Sequence, residues 1–121
     1  METFYFRRLE VYQNAKQLAI HVNDTIKCFP KEERYALTDQ LRRASSSILF
    51  NIAEAFGRYS ANDRLRFLEF SSESAMEVSS ELELAEAYGY ISREDLSSFD
   101  EQILVIVKQL SKLRSTIKTQ V

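Results

Sequence analysis

With 121 residues, 45% of them hydrophobic, the chain has the material for one domain with a real core and no room for two. Two glycines and one proline are too few for the tight turns of an all-β fold, so a few long helices are expected. The single cysteine, Cys28, excludes an intrachain disulfide and a cysteine metal cluster, and a net charge of −2 argues against strong nonspecific binding to nucleic acid.

The first expected helix runs from about Phe6 to Phe29, with Leu9, Tyr12, Ala15, Leu18 (with Ala19), Val22, Ile26 and Phe29 as its apolar line. Pro30 ends it, because the residue before a proline is pushed out of the α region. A second helix is expected from Lys31 or Glu32 to about Tyr59, with Glu32 and Glu33 against its positive N-terminus and Gly57 as an exit or a close-packing position. Ser60 to Asp63 offers N-cap residues for a third helix from about Asp63 to Tyr88, and Gly89 is a natural stop. Ser92 followed by Asp95 is a near variant of the capping box and opens a fourth helix to about Lys118. Its seam, Leu96, Phe99, Ile103, Ile106, Leu110, Leu113 and Ile117, keeps heptad spacing. Short links make consecutive helices antiparallel neighbours, so the expected fold is an all-α, up-down-up-down four-helix bundle spanning residues 1–121 as a single domain.

Helix two carries two stripes. Leu41, Ala44, Ile48, Ile52 and Ala55 read as core, and beside them Arg43, Ser47, Asn51, Glu54 and Arg58 form a polar line at the same spacing. A polar line at the edge of a core can bond a neighbouring helix, another subunit or a ligand. Phe50 lies opposite the core stripe. Leu49, Ala53, Phe56, Phe67, Leu68, Phe70 and the tyrosines Tyr5, Tyr59, Tyr88 and Tyr90 add apolar surface. Together they mark either an oligomer interface anchored by Phe50 or a core wide enough to cover them.

Charge is uneven along the chain. Residues 1–66 carry 11 basic and 8 acidic side chains, and residues 67–121 carry 5 and 10. Complementarity between helices or subunits explains this, as does an anion-binding face. Glu69, Glu73, Glu77 and Glu81 repel one another at i, i+4 spacing and need water, a metal or the arginines of helix two or of a neighbouring subunit. A metal lacks its histidines, since His21 stands alone and reads as a surface or boundary residue. Cys28 reads as a small hydrophobe, and Ser45, Ser46 and Ser47 as small residues bonding the i−4 carbonyl. With no phosphate loop or nucleophile elbow, no catalytic residue, metal or cofactor is expected. No basic leader or long apolar run is present, so a soluble cytoplasmic protein without a membrane partner is expected.

The stretches FPKEERYALTDQLRRASSSILFNIAEAFGR (Phe29–Arg58) and RFLEFSSESAMEVSSELELAEAYGYI (Arg66–Ile91) resemble the bacterial proteins encoded by intervening sequences in 23S ribosomal RNA genes. The chain is also similar to the accessory variability determinant protein of diversity-generating retroelements. The resemblance runs from Leu9 through helix four and is most specific at Gln40–Arg58. It implies a bundle assembling as a homopentamer. From the retroelement relatives it implies a basic surface for RNA or DNA and a nucleic-acid-processing partner, a reverse transcriptase. The polar residues it carries over are Arg42, Arg43, Ser47, Asn51, Glu54 and Arg58, with Ser74 and Glu77 on helix three. Two positions depart from the pattern: Ala55 and Glu73 stand where such proteins favour glycine. Arg42 and Arg43, then Arg7 and Arg8, are the candidates for an anionic partner. Ser47, Asn51, Glu54, Arg58, Ser74 and Glu77 are the candidates for holding helix two against helix three or another subunit. The resulting expectation is a non-enzymatic accessory protein that binds nucleic acid, with a pure protein-binding scaffold as the alternative.

Overall fold

Four α-helices, α1 (Glu10–Ile26), α2 (Leu37–Phe56), α3 (Ala61–Ala87) and α4 (Arg93–Lys118), make up most of the computed structural model, which describes residues 3–119. Two 3-10 turns, Tyr5–Arg8 and Lys31–Glu33, precede α1 and α2. Each helix packs against its chain neighbours, and α1 closes on α4; α2 and α3 form the closest pair. This is the expected four-helix bundle. At 1.5 Å per residue α3 is about 40 Å long.

The ends of α3 and α4 follow from their local sequence. Ser60 Oγ accepts from the Asp63 amide at 3.1 Å. At α4, Ser92 Oγ accepts from the Asp95 amide at 3.0 Å, and the Asp95 carboxylate accepts from the Ser92 amide at 3.1 Å. The Ser92 amide first, and then the Ser92 hydroxyl, hold the Asp95 carboxyl below the usual carboxylate range. After α3 the chain passes through Gly89 at φ +82°, its amide bonding Glu86 O while the Tyr90 amide reaches back to Ala85 O, both at 2.9 Å. That double closure is the Schellman stop. A Cβ on Gly89 would touch nothing within 4 Å, so any penalty there is purely conformational. Gly89→Ala is expected to cost about 1–2 kcal/mol in urea unfolding, the strain of a left-handed L-residue. A cost near zero would mean the turn relaxes out of this geometry.

Two expected helices start later than their periodicity implies. Leu9 is extended (φ −68°, ψ 133°), so the residues before it form a separate turn whose Tyr5 ring packs edge-on against Phe56 of α2 at 5.9 Å. Ala36 (φ −124°, ψ −106°) separates Lys31–Glu33 from α2, leaving Asp39, rather than Glu32 and Glu33, as the acid in the first turn of α2. α1 ends at Ile26, before Pro30, and α2 ends at Phe56 with Gly57 at φ −89°, so Gly57 is no left-handed stop.

The core takes Ala15, Leu18 and Val22 from α1, and Leu41, Ile48 and Ile52 from α2. Leu68, Val78 and Leu82 of α3 face Phe99, Ile106 and Leu110 of α4. Val11 is buried where the expected line had Leu9 and Tyr12, which are half-buried. The wide-core expectation holds for Leu49 and Leu68, and half for Ala53, Phe56, Phe67 and Phe70. It fails for Phe50, Tyr5, Tyr59 and Tyr88, which stay exposed. Tyr90 is half-buried, and its hydroxyl donates to Glu33 at 2.7 Å; the carboxylate pushes the phenol up to about 12.

Candidate functional site

The polar line of α2 meets α3 at one hydroxyl pair. Ser74 Oγ donates to Ser47 Oγ at 2.9 Å, and Asn51 Nδ2 donates to both Ser47 Oγ and Ser47 O at 2.9 Å. Ser71, fully buried, donates to Ile48 O at 2.7 Å. Small side chains on both helices let the backbones come this close. Ser47 and Ser74 bridge the two helices, while Asn51 bonds within α2 and orients Ser47. Ser45 and Ser46 both donate to Arg42 O, at 3.2 and 2.8 Å. Only Ser46 follows the expected i−4 pattern, and Ser47 turns outward to α3.

At the end of α2, Glu54 pairs with Arg58 of the link that follows, at 3.8 Å. The Arg58 guanidinium lies over the Phe67 ring of α3 at 4.3 Å, so the cation–π contact makes the crossing. Glu77 is exposed, and no ion pair among the described residues joins an α3 glutamate to an α2 arginine. The expected intrachain ladder is therefore absent from the protomer. Glu69, Glu73 and Glu77 face solvent, whereas Glu81 is only 7% exposed, with Oε1 buried and unpartnered. Burial first, then the charge and hydrogen bond of Glu77, push the Glu81 carboxyl up to about 7. Glu73 points outward and leaves the close packing to Ser71 and Ala75; Ala55 is fully buried.

The four candidate arginines do not form one patch. Arg42 and Arg43 share the Asp39 carboxylate, at 4.0 and 3.1 Å, in the first two turns of α2. Arg7 and Arg8 sit on the N-terminal turn beside Phe56, where Arg7 lies over Phe4 at 5.0 Å and Arg8 over Tyr5 at 5.3 Å. From Arg43 to Phe56 the helix rises about 20 Å.

Folding the chain sorts its charge by end. The end formed by residues 3–17, 49–68 and 111–119 holds nine basic and three acidic side chains, a balance of +6. The opposite end, residues 19–44 and 80–100, holds six basic and ten acidic ones, a balance of −4. Arg58, Arg64 and Arg66, around the α2–α3 turn, belong to the basic end, as do Lys112, Arg114 and Lys118 on α4. Comparing the two halves of the sequence hid this, because an antiparallel chain visits each end in both halves. The signal becomes legible once the charges are laid on the up-down topology.

Phe50 is 65% exposed and, with Ile20 of α1 at 45%, rims a groove floored by Ala19, Ser46 and Leu49. His21 stacks on Phe99 with ring centroids 3.8 Å apart and shares a hydrogen bond between Nδ1 and Gln102. Cys28, read as a small hydrophobe, is exposed. Among the described residues no three His, Cys, Asp or Glu side chains gather in a metal-binding group, and no helix is long and apolar enough to cross a membrane.

Residues 7–112 match the model of the family described as 23S rRNA-intervening sequence protein. Among solved structures, the chain is similar to a protein of unknown function of the S23 ribosomal protein family from Bacteroides thetaiotaomicron. The two share 27% identity and a TM-score of 0.79, covering 86% of this chain and 97% of that one. None of the curated proteins matches the chain.

Proposed function

The chain belongs to the 23S rRNA-intervening sequence protein family, and from this premise we propose that it is a self-assembling accessory protein that binds nucleic acid without catalysis. The basic end of the bundle carries the reading: a balance of +6 on one end of a chain whose net charge is −2 gives phosphates a place to bind that the average conceals. Arg7 and Arg8 lie on this end. Arg42 and Arg43, partly neutralised by Asp39, lie at the opposite end of α2 and are a separate contact for phosphates. The accessory role, with a reverse transcriptase or another nucleic-acid-processing protein as partner, comes from the resemblance to the retroelement proteins. The place of action is the cytoplasm, where a lone exposed thiol stays reduced.

Self-assembly, as a homopentamer, is supported by Phe50 and Ile20, large apolar groups left in water beside an open groove. The α3 glutamates without partners in the protomer are then available to arginines of a neighbouring copy. Light scattering with and without a structured RNA tests both parts of the reading. A particle of about five times the 14.1 kDa chain is expected, gaining RNA mass at low salt and losing it as salt rises. Phe50→Glu is expected to reduce the particle to monomers at unchanged helical content, because Phe50 is largely exposed in the protomer. A parent chain that is already monomeric sinks the assembly reading. A pentamer that takes up no RNA favours a second reading, a protein-binding scaffold, for which the apolar groove is the supporting observation.

A further inference from the structure

The basic end carries more than charge. Tyr59, in the α2–α3 link, is fully exposed, and Phe4 and Tyr5 on the N-terminal turn are 52% and 58% exposed. Phe4, Tyr5 and Arg64 line an open cleft of about 580 Å³ over the end of α2. The N-terminal aromatics have guanidinium groups beside them, Arg8 over Tyr5 and Arg7 over Phe4, and Tyr59 follows Arg58, whose guanidinium lies over Phe67. Arg64 Nε donates to Arg58 O at 3.0 Å, which fixes its guanidinium at the mouth of the cleft. Exposed tyrosines occur at the acidic end too, at Tyr35 and Tyr88, but there no cationic surplus accompanies them.

We propose that this end is a stacking platform for single-stranded RNA, in which Tyr59, Tyr5 and Phe4 receive unstacked bases while Arg58, Arg64 and Arg66 hold the backbone phosphates. The proposal rests on the nucleic-acid reading above and specifies its ligand. Rings that protrude from a charged surface gain nothing from a duplex, whose bases are already stacked on one another. A single strand offers each ring a base face and each arginine a phosphate.

The test is fluorescence anisotropy with a labelled oligouridylate and a blunt RNA duplex of equal strand length, at low and moderate salt. The single strand is expected to bind about tenfold or more tightly than the duplex. Tyr59→Ala is expected to weaken it by about fivefold or more at an unchanged salt slope, as loss of one stacked base requires. Arg66→Ala is expected to weaken the strand and flatten the slope. Tyr35→Ala, at the other end, leaves binding as it was. Because Tyr59 buries nothing, its loss does not touch folding, and circular dichroism verifies this for every variant. Equal affinity for strand and duplex, or a Tyr59→Ala variant that binds like the parent, overturns the platform while the broader nucleic-acid reading stands. Binding of neither RNA overturns both. If the chain instead self-associates end to end and disperses at moderate salt, the basic end belongs to the acidic end of a second copy.

Discussion

Phe99→Ala is expected to lower the free energy of unfolding by about 3–5 kcal/mol, the largest single-residue loss in the protein. Phe99 is the largest of the fully buried side chains, and its ring lies nearly parallel to the His21 imidazole, at 18° and 3.8 Å between centroids. Alanine removes the apolar burial and leaves a cavity between α1 and α4. The His21 ring cannot fill it while it remains bonded to Gln102. A domain of this size has about 5–15 kcal/mol of stability in all, so about a fifth or more of it rides on one ring. Urea unfolding followed at 222 nm measures the loss, with Phe99→Leu as a smaller truncation expected to cost less than the alanine variant. A loss below about 1 kcal/mol for the alanine variant would show that the α1–α4 seam collapses around the gap.

Glu81→Gln is expected to stabilise the protein by about 2 kcal/mol at pH 8 and to have little effect near pH 4. The folded carboxyl titrates at about 7, against 4.5 for an ordinary glutamate, chiefly through burial and then through Glu77. Between those values the folded state keeps a proton that the unfolded state has released. Stability from this group is therefore full below pH 4.5, falls as pH rises toward 7, and is flat above. The whole shift corresponds to about 3 kcal/mol, and screening at a carboxyl that is not fully enclosed lowers that to about 2. Glutamine is permanently neutral and can still bond Glu77. Urea midpoints of parent and variant at pH 4, 6 and 8 decide it: a difference that does not grow with pH would mean that Glu81 stays ionised in the fold.

Glu81 also shows how far spacing can be read. Steps of four residues on a helix of 3.6 residues per turn drift by about 40° each, so the line from Glu69 to Glu81 turns by about 120°. That rotation carries three glutamates along solvent and the fourth into the core. The drift is present in the sequence, but what Glu81 meets there depends on where α2 and α4 lie. The same holds for Ser47 and Asn51: a hydroxyl or an amide can bond its own helix or the next, and only the approach of α3 selects the Ser74 partner for Ser47.

The sequence by itself determined the helix count, the Ser92 cap, the Gly89 stop, the α4 seam and the outward placement of Phe50. Each of these depends on groups within a few residues of one another, through amide capping, backbone sterics or helical periodicity. Only the tertiary structure decided that Leu9 and Ala36 break their helices and that Arg58 crosses to Phe67 through its π face rather than to a carboxylate. It also divided the charges into a basic and an acidic end. These outcomes depend on which distant segments become neighbours, and in an antiparallel bundle the neighbours at each end come from both halves of the chain.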